Sequence, residues 1–478
     1  MKLNPIFAWT TMAALAVSAP VRSEDLSGVF KTSLSADATM QQAEAQHLAT
    51  REVRTQALLN MAPLSATASK NWGAVGTGSD RISTATPAVA TLGLSVNLFS
   101  WNSWINLKNA NATAAQGEAN YLASQQSLVS RVTQRYFAVL SAEDQLAAQE
   151  SALQSAARQL EQAERRFEVG LIANTDVQIA RAARDSSSAA VIASRRSLAA
   201  AEEQLRIITG LKYATLAAPR PDMPLLSPDP ASEDAWVATA LNQNASLIAS
   251  RLSADIAHDQ YLAAFGGHLP NVTVSASRNW ALDGSHSATT GAGLTGSTGV
   301  GGTGSVNTQD VVWSAGISVP LFTAGLTQSK VRSARYSWDA ANASYDNVRR
   351  QVEQQTRDAY QGVISQIAQV QALQQAVESN RISLEATEAG YDVGTKTALD
   401  VLTARQQYVT AQSNYADAKY GYLNNIVALR LAAGSLDEAT VKLINGWLAE
   451  PTSVPSTAPT PTAAPNTVTP GSAPPTAP

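Results

Sequence analysis

The sequence predicts a mainly α-helical chain with a transmembrane β-barrel, built from a duplicated unit of long helices plus a β-hairpin. Three observations predict this fold class. Two long segments, 101–168 and 324–391, keep a helical pattern without a break; four short segments alternate apolar and small polar residues; and this order of elements occurs twice. Strands with a lipid-facing side must close all their edges, so the barrel requires several copies of the chain.

The composition agrees with long helices in close contact. Of 478 residues, only 15% are charged, against about 25% in soluble domains. Apolar residues reach 45% but aromatic residues only 6%, so the apolar content is mostly Ala, Leu and Val. The sequence has no Cys, which excludes disulfides, thiol catalysis and a lipid anchor on Cys. The net charge of −4 offers no basic footprint, so no nucleic-acid partner is expected.

The two ends of the chain have compositions of their own. Residues 1–23 are predicted to be a secretory signal peptide, because Lys2 precedes an apolar run that is too short to span a bilayer. Residues 451–478 are rich in Pro, Thr and Ala and are predicted to be a disordered tail. The mature chain is therefore expected to be exported.

An internal duplication divides the rest of the chain. The Val-Gly pairs at 169–170 and 393–394 lie 224 residues apart, and the matching segments LGLSVNLF (92–99) and AGISVPLF (315–322) lie 223 apart. We therefore expect a first repeat at 24–230 and a second at 231–450, each with a helix, a β-hairpin and a long helical hairpin.

The predicted elements follow the same order in each repeat. The opening helices, 36–61 and 232–264, have capping signals at Ser35 and Ser232. In the first repeat we expect a strand at 64–72, a hairpin loop at 73–88, a second strand at 91–98, a long helix at 101–168 and a return helix at 175–209. In the second repeat the same elements are expected at 272–280, 281–310, 313–321, 324–391 and 397–433. One return helix and the next opening helix together match one long helix in length, which predicts a helical wall of uniform height.

Aromatic residues stand at both ends of the predicted strands. They are predicted to mark the two membrane interfaces: Trp72, Phe99, Trp101, Trp104, Trp280 and Phe322. The alternative is the edge of a soluble β-sandwich with scattered core tryptophans, which the long helices disfavour.

At four places the sequence resembles the TolC family of outer-membrane efflux proteins. These are RFEVGLIANTDVQIARA (166–182), YDVGTKTALDVLTARQ (391–406), SVPLF (318–322) and LRIITG (205–210). The resemblance implies a homotrimer whose 12-stranded barrel lies in the outer membrane of a Gram-negative bacterium and continues as an α-helical barrel across the periplasm. It also implies a periplasmic adaptor and an inner-membrane pump as partners.

The resemblance assigns the Val-Gly turns to the periplasmic tip as adaptor contacts. The residues concerned are Val169, Gly170, Leu171, Val393, Gly394 and Thr395. The alternative is that they are turns and nothing more.

The resemblance also places a ring of acids at the periplasmic entrance. Asp400 matches the first acid of that ring, whereas Thr403 stands where the family has the second, so cation selectivity should be weaker. The alternative for Asp400 is helix capping, because Thr397 and Asp400 have the spacing of a capping box.

A further set matches positions that hold the entrance closed by linking neighbouring helices. It comprises Asp176, Tyr391, Lys396, Gln159 and Gln162. Lys396 replaces the commoner Arg and loses its two-pronged geometry toward a carboxylate. Solvated surface polarity is the alternative.

Two functions are weighed. The first is a passive outer-membrane exit duct for drugs or secreted protein, opened by an adaptor and pump; the second is a structural trimeric coiled-coil surface protein or adhesin. No catalytic, nucleotide-binding, metal or other cofactor motif is found, so we expect neither an enzyme nor a cofactor. The cargo is left open.

Overall fold

The computed structural model describes residues 23–69, 72–75, 82–85, 89–281 and 311–449. Nearly all of the predicted signal peptide, the whole predicted tail and most of both hairpin loops lie outside these ranges. The described elements are, in order, β1 (Ser23–Glu24), α1 (Leu26–Ala36), α2 (Ala38–Leu59), β2 (Leu64–Ser69), β3 (Trp72–Val75), β4 (Ile82–Ala85), β5 (Val89–Phe99), α3 (Trp101–Glu168), α4 (Asn174–Thr209), β6 (Thr215–Leu216), α5 (Glu233–Gln243), α6 (Ala245–Phe265), β7 (Asn271–Ala281), β8 (Val311–Ser318), α7 (Leu326–Asp392), α8 (Ala398–Ala432) and α9 (Glu438–Asn445).

Two helices of nearly equal length set the height of the helical part. α3 has 68 residues and α7 has 67, which is roughly 100 Å each. The helices α4, α5 and α6 have 36, 11 and 21 residues, together the same 68 as α3. The helices α8, α1 and α2 have 35, 11 and 22 residues, which again matches one long helix. The predicted wall of uniform height is therefore present in the helix lengths.

α3 changes its neighbours along its length. Its first half packs against α2 and α6, where Lys108 meets the buried Asp259 at 2.7 Å. Its second half packs against α4, where Arg195 meets Glu150 at 2.8 Å. α7 likewise packs against α5 and α6 and then against α8. No helix in the described ranges combines the length and apolarity that crossing a bilayer requires.

The four predicted strand segments form one antiparallel sheet in the order β2-β5-β7-β8. β2 and β5 form the hairpin of the first repeat, β7 and β8 that of the second, and the β5–β7 pair joins the repeats. In the described part of the chain, β2 and β8 each have a strand partner on one side only.

The register sorts the sheet into two chemically different faces. Directly paired residues share a face. One face carries small polar side chains, with Ser275 Oγ 2.7 Å from Ser314 Oγ and Thr91 Oγ1 donating to Asn279 Oδ1 at 2.7 Å. The other face is apolar apart from one residue, and its central rows are Leu64–Leu94–Ala276–Trp313 and Val96–Val274–Ala315.

The main hydrophobic core lies at mid-height, where the linker between the repeats crosses the helices. Tyr136 and Phe137 of α3 are fully buried there, and the Tyr136 hydroxyl donates to the Ala217 carbonyl at 2.8 Å. β6 of the linker pairs in parallel with β1, and Pro219 pairs with Leu448 beyond α9. The linker thus packs on the helices and pairs with both ends of the described chain.

Several predicted bounds are corrected. Ser35 does not cap a helix: its hydroxyl donates to the Thr32 carbonyl in the last turn of α1, and Asp37 caps α2. Ser232 does cap α5, but the predicted helix 232–264 breaks at Asn244, whose side chain caps α6. The loop 73–88 contains the ladder of β3 with β4, and the strand predicted at 313–321 ends at 318, before Pro320.

Candidate functional site

The first helical hairpin, α3 and α4, turns through a left-handed glycine. Gly170 has a φ of +74°, and Leu171 N donates back to the Arg166 carbonyl at 2.8 Å, which closes the helix end. A side chain at this φ is strained, so the turn requires Gly. Val169 is 68% exposed and Leu171 is also exposed, so the turn presents an apolar tip.

The second hairpin, α7 and α8, has the same construction. Gly394 has a φ of +80°, and Thr395 N donates to the Gly390 carbonyl at 2.8 Å. Val393 is 77% exposed. All six residues predicted for the turns therefore lie at the two helical tips, with an exposed Val beside each Gly.

Asp400 and Thr397 form a reciprocal capping box at the start of α8. Asp400 Oδ2 accepts hydrogen bonds from Thr397 N at 2.9 Å and Thr397 Oγ1 at 2.8 Å, and Thr397 Oγ1 accepts from Asp400 N at 3.2 Å. These bonds, and then the charge of Lys396, lower the pKa of Asp400. The carboxylate is exposed and Oδ1 takes part in none of these bonds, so the capping role uses only one of its two oxygens.

Thr403, one turn later, is exposed and its hydroxyl donates to the Leu399 carbonyl at 2.9 Å. The Thr403 side chain is neutral, so it adds no negative charge to that of Asp400. The second position of the predicted ring is therefore neutral.

A groove between the two hairpins brings together three of the predicted linking residues. Gln159, Gln162 and Tyr391 line this groove of about 320 Å³ near the tips. Gln162 Nε2 donates to Asp392 Oδ1 at 3.3 Å. The polar residues of α3 thus face the end of α7.

An ion pair at the same groove was missed by sequence reasoning. Arg166 Nη2 donates to Asp392 Oδ1 at 2.9 Å, and the guanidinium carbon lies 5.1 Å from the centre of the Tyr391 ring. The duplication held a signal for it, because the position matching Arg166 in the second repeat is Gly390. A charged residue that occurs in only one repeat suggests a contact between the two repeats, rather than one made within each repeat.

The other two predicted linking residues are not brought together within one chain. Asp176 N donates to the Ala173 carbonyl at 3.1 Å, but within the described ranges its carboxylate has no hydrogen bond or ion pair. The stem of Lys396 lies against Gly390, and its ammonium group has no ion pair with a described residue. Asp176 lies in the first turn of α4, and Lys396 directly precedes Thr397, the N-cap of α8.

A duplicated ion pair holds each hairpin together. Arg181 meets Glu164 at 3.2 Å across α3 and α4, and Arg405 meets Glu388 across α7 and α8. Each pair is separated by 17 residues, and the two pairs are related by the offset of 224. They are internal to the hairpins, whereas the pair of Arg166 with Asp392 near the tips and that of Lys419 with Asp144 farther from the tips join one hairpin to the other.

The aromatic residues predicted for the membrane interfaces do not all point outward. Phe99, Trp104 and Phe322 are exposed and Trp280 is half-buried. Trp101 instead joins α3 to α6, because its indole N–H donates to the Leu262 carbonyl at 2.9 Å. The side chain of Trp72 lies outside the described residues.

Comparison with known proteins agrees with this arrangement. The sequence model of the outer membrane efflux protein family matches residues 29–211 and 236–435. The chain is 33% identical over 451 residues to the outer membrane protein TolC of Vibrio cholerae, covering 94% of this chain and 98% of that one. It is 30% identical to the alkaline protease secretion protein AprF of Pseudomonas aeruginosa, covering 74% of this chain and 71% of that one.

A solved structure shows the same fold. The Campylobacter jejuni CmeC outer membrane channel superposes with a TM-score of 0.70 at 18% identity, over 94% of this chain and 97% of that one. Long helices in a helical barrel beside a β-barrel are thus the shared architecture. The chain belongs to the outer membrane efflux protein family, and it is an outer-membrane exit duct of a Gram-negative bacterium that serves efflux or type I secretion.

Proposed function

We propose that three copies of the chain close into one 12-stranded barrel and act as a passive conduit, with no catalytic step of their own. The observation that carries this proposal is the four-stranded antiparallel sheet with one apolar face, whose outer strands β2 and β8 lack a second partner in the described chain. In lipid such edges must be paired, and β2 of one protomer against β8 of the next satisfies both.

We further propose that the tips form the closed periplasmic entrance. The Arg166–Asp392 pair holds the second hairpin against the first within each protomer. Asp176 and Lys396, which lack ionic partners in the described chain, then pair across protomers, as their opposite charges favour. Asp400, one turn from the tip, supplies a ring of three charges to the same opening.

The exposed apolar turns are proposed as the contact for a periplasmic adaptor. Val169, Leu171 and Val393 present apolar side chains at positions farthest from the sheet. An adaptor that binds them in an open arrangement, together with an inner-membrane pump, would shift the entrance toward opening. The energy for transport then comes from the pump.

The absence of Cys makes the assembly directly testable. Single Cys substitutions along β2 (Leu64–Ser69) are combined with substitutions along β8 (Val311–Ser318) and oxidised. We expect disulfides to form at every second position along one register of β2 against β8, and these pairs to give a covalent trimer. The same trimer, purified, should conduct in a planar bilayer. Oxidation that never gives a closed trimer would refute the proposed 12-stranded barrel, and a trimer without conductance would refute its role as the conduit.

The adaptor contact has its own test. Val169→Asp or Val393→Asp should abolish pull-down of the adaptor, while Ile192→Asp, an equally exposed apolar position on α4, should leave it intact. Equal pull-down by all three variants would remove the tips from the interface.

A further inference from the structure

One charged residue lies on the apolar face of the sheet. Within the four strands β2, β5, β7 and β8, Arg278 is the one charged residue. It pairs directly with Leu92 on one side and Val311 on the other, so the register places it on the apolar face. Trp280, two residues along, shares that face.

The position of Arg278 along the strand explains how lipid tolerates it. From Val272, opposite Phe99, to Trp280 is eight residues, or about 20 Å along the membrane normal for a strand tilted by about 40°. The lipid-facing band of an outer-membrane barrel is about 25 Å tall, so Trp280 lies near its outer edge. Arg278 lies about 5 Å deeper, a distance that its side chain spans by snorkelling outward.

The guanidinium takes that outward direction. Its carbon lies 5.3 Å from the centre of the Trp280 ring, and the side chain of Arg278 is exposed. Within the described part of the chain it makes no ion pair. A guanidinium lying over an aromatic ring keeps its N–H edge available for a planar or tetrahedral oxyanion.

We propose that Arg278 and Trp280 form, on each protomer, a binding site for the phosphate group of an anionic lipid in the outer leaflet. This site rests on the proposed trimeric barrel. Apolar neighbours on three sides, Leu92, Val311 and Trp313, favour acyl chains below the phosphate, which selects a lipid over a free anion. Arg binds phosphate with two parallel N–H bonds, while the indole marks the depth of the headgroups.

Native mass spectrometry of the purified full-length trimer tests this site. The probes are a lipid A glycolipid bearing two phosphates, its dephosphorylated form, and inorganic phosphate. We expect up to three phosphorylated lipids per trimer, at least a fivefold loss of retention in Arg278→Gln, and partial retention in Arg278→Lys, which keeps the charge but loses the fork. Arg335→Gln, an exposed position on α7, is the matched control and should retain lipid as the wild type does.

Each other outcome counts against the site. Equal retention by Arg278→Gln, or equal retention of the dephosphorylated lipid, would overturn it, and displacement by inorganic phosphate alone would show an anion site without lipid preference. A wild-type chain that forms no trimer refutes the proposed assembly, which is a different result.

Discussion

Replacing Arg166 by Gln removes the ionic link that joins the two hairpins of one protomer near their tips. It leaves both hairpins intact, together with the pair of Lys419 on α8 with Asp144 on α3. Arg166 is 26% exposed and Asp392 59% exposed, so the ion pair is partly screened and is worth about 0.2–1 kcal/mol. The contact with the Tyr391 ring adds about 0.5–1 kcal/mol. We therefore expect a loss of about 1–2 kcal/mol per protomer.

The symmetry of the assembly multiplies this loss. A change of 1.4 kcal/mol is tenfold in an equilibrium, so each protomer shifts toward opening by about fivefold to thirtyfold. If the three protomers open together, the shifts combine to at least about a hundredfold. The conductance of single trimers in a planar bilayer should therefore change from a closed level to a predominantly open one.

A double-mutant cycle with a matched control tests the assignment. Arg166→Gln, Asp392→Asn and the double variant should open to a similar degree, and the exchange Arg166→Asp with Asp392→Arg should recover part of the closed state. Arg195→Gln breaks the pair with Glu150 inside the first hairpin and should leave conductance unchanged. Strictly additive effects of the two single changes, or opening by Arg195→Gln as large as by Arg166→Gln, would refute the reasoning.

Three further predictions follow from single contacts. Asp176→Ala or Lys396→Ser should raise single-channel conductance, whereas Lys396→Arg should lower it; unchanged conductance in all three would exclude a link across protomers. Gly434→Ala should destabilise the trimer by about 2–4 kcal/mol in denaturant unfolding, because Gly434 has a φ of +73° and a Cβ would meet the backbone of Gln243; a loss below 1 kcal/mol would contradict it. Burial, with the neighbouring acids second, raises the pKa of Glu143, so its ionisation opposes folding as pH rises. Glu143→Gln should therefore raise the midpoint of thermal unfolding at pH 7 and leave it unchanged at pH 3; an equal gain at both pH values would contradict this.

The sequence predicted those parts of the fold that depend on local pattern. α3 begins at Trp101 and ends at Glu168, as predicted, because Ser100 caps its start and the Val-Gly turn ends it. α1 lies outside the predicted opening helix 36–61, because the prediction takes Ser35 as the N-cap, whereas Ser35 lies in the last turn of α1 and Asp37 caps α2. The ladder of β3 with β4 lies in the predicted loop 73–88, because small residues (Gly, Ala, Ser and Thr) make up most of that stretch and favour a loop in sequence reasoning.

The candidate site divides in the same way. The sequence predicts the tip glycines because a positive φ at a helix end favours Gly. It predicts the capping box because the two residues of the box are only three positions apart. The Arg166–Asp392 pair depends on how two hairpins 226 residues apart lie against each other, which no window of sequence contains. Arg278 was passed over because its exposure to lipid follows from strand register alone.

One ion pair near the tips occurs in both repeats, whereas the pair between Arg166 and Asp392 has no counterpart. The ion pairs Arg181–Glu164 and Arg405–Glu388 are copies of one another, and both hold a hairpin rigid. Arg166 faces Gly390 in the alignment of the repeats, and its bond to Asp392 lies between hairpins. An opening that moves one hairpin against the other breaks this bond and keeps the duplicated ones. The duplicated ion pairs are therefore expected to stay closed during opening, whereas the unduplicated pair of Arg166 with Asp392 is expected to break.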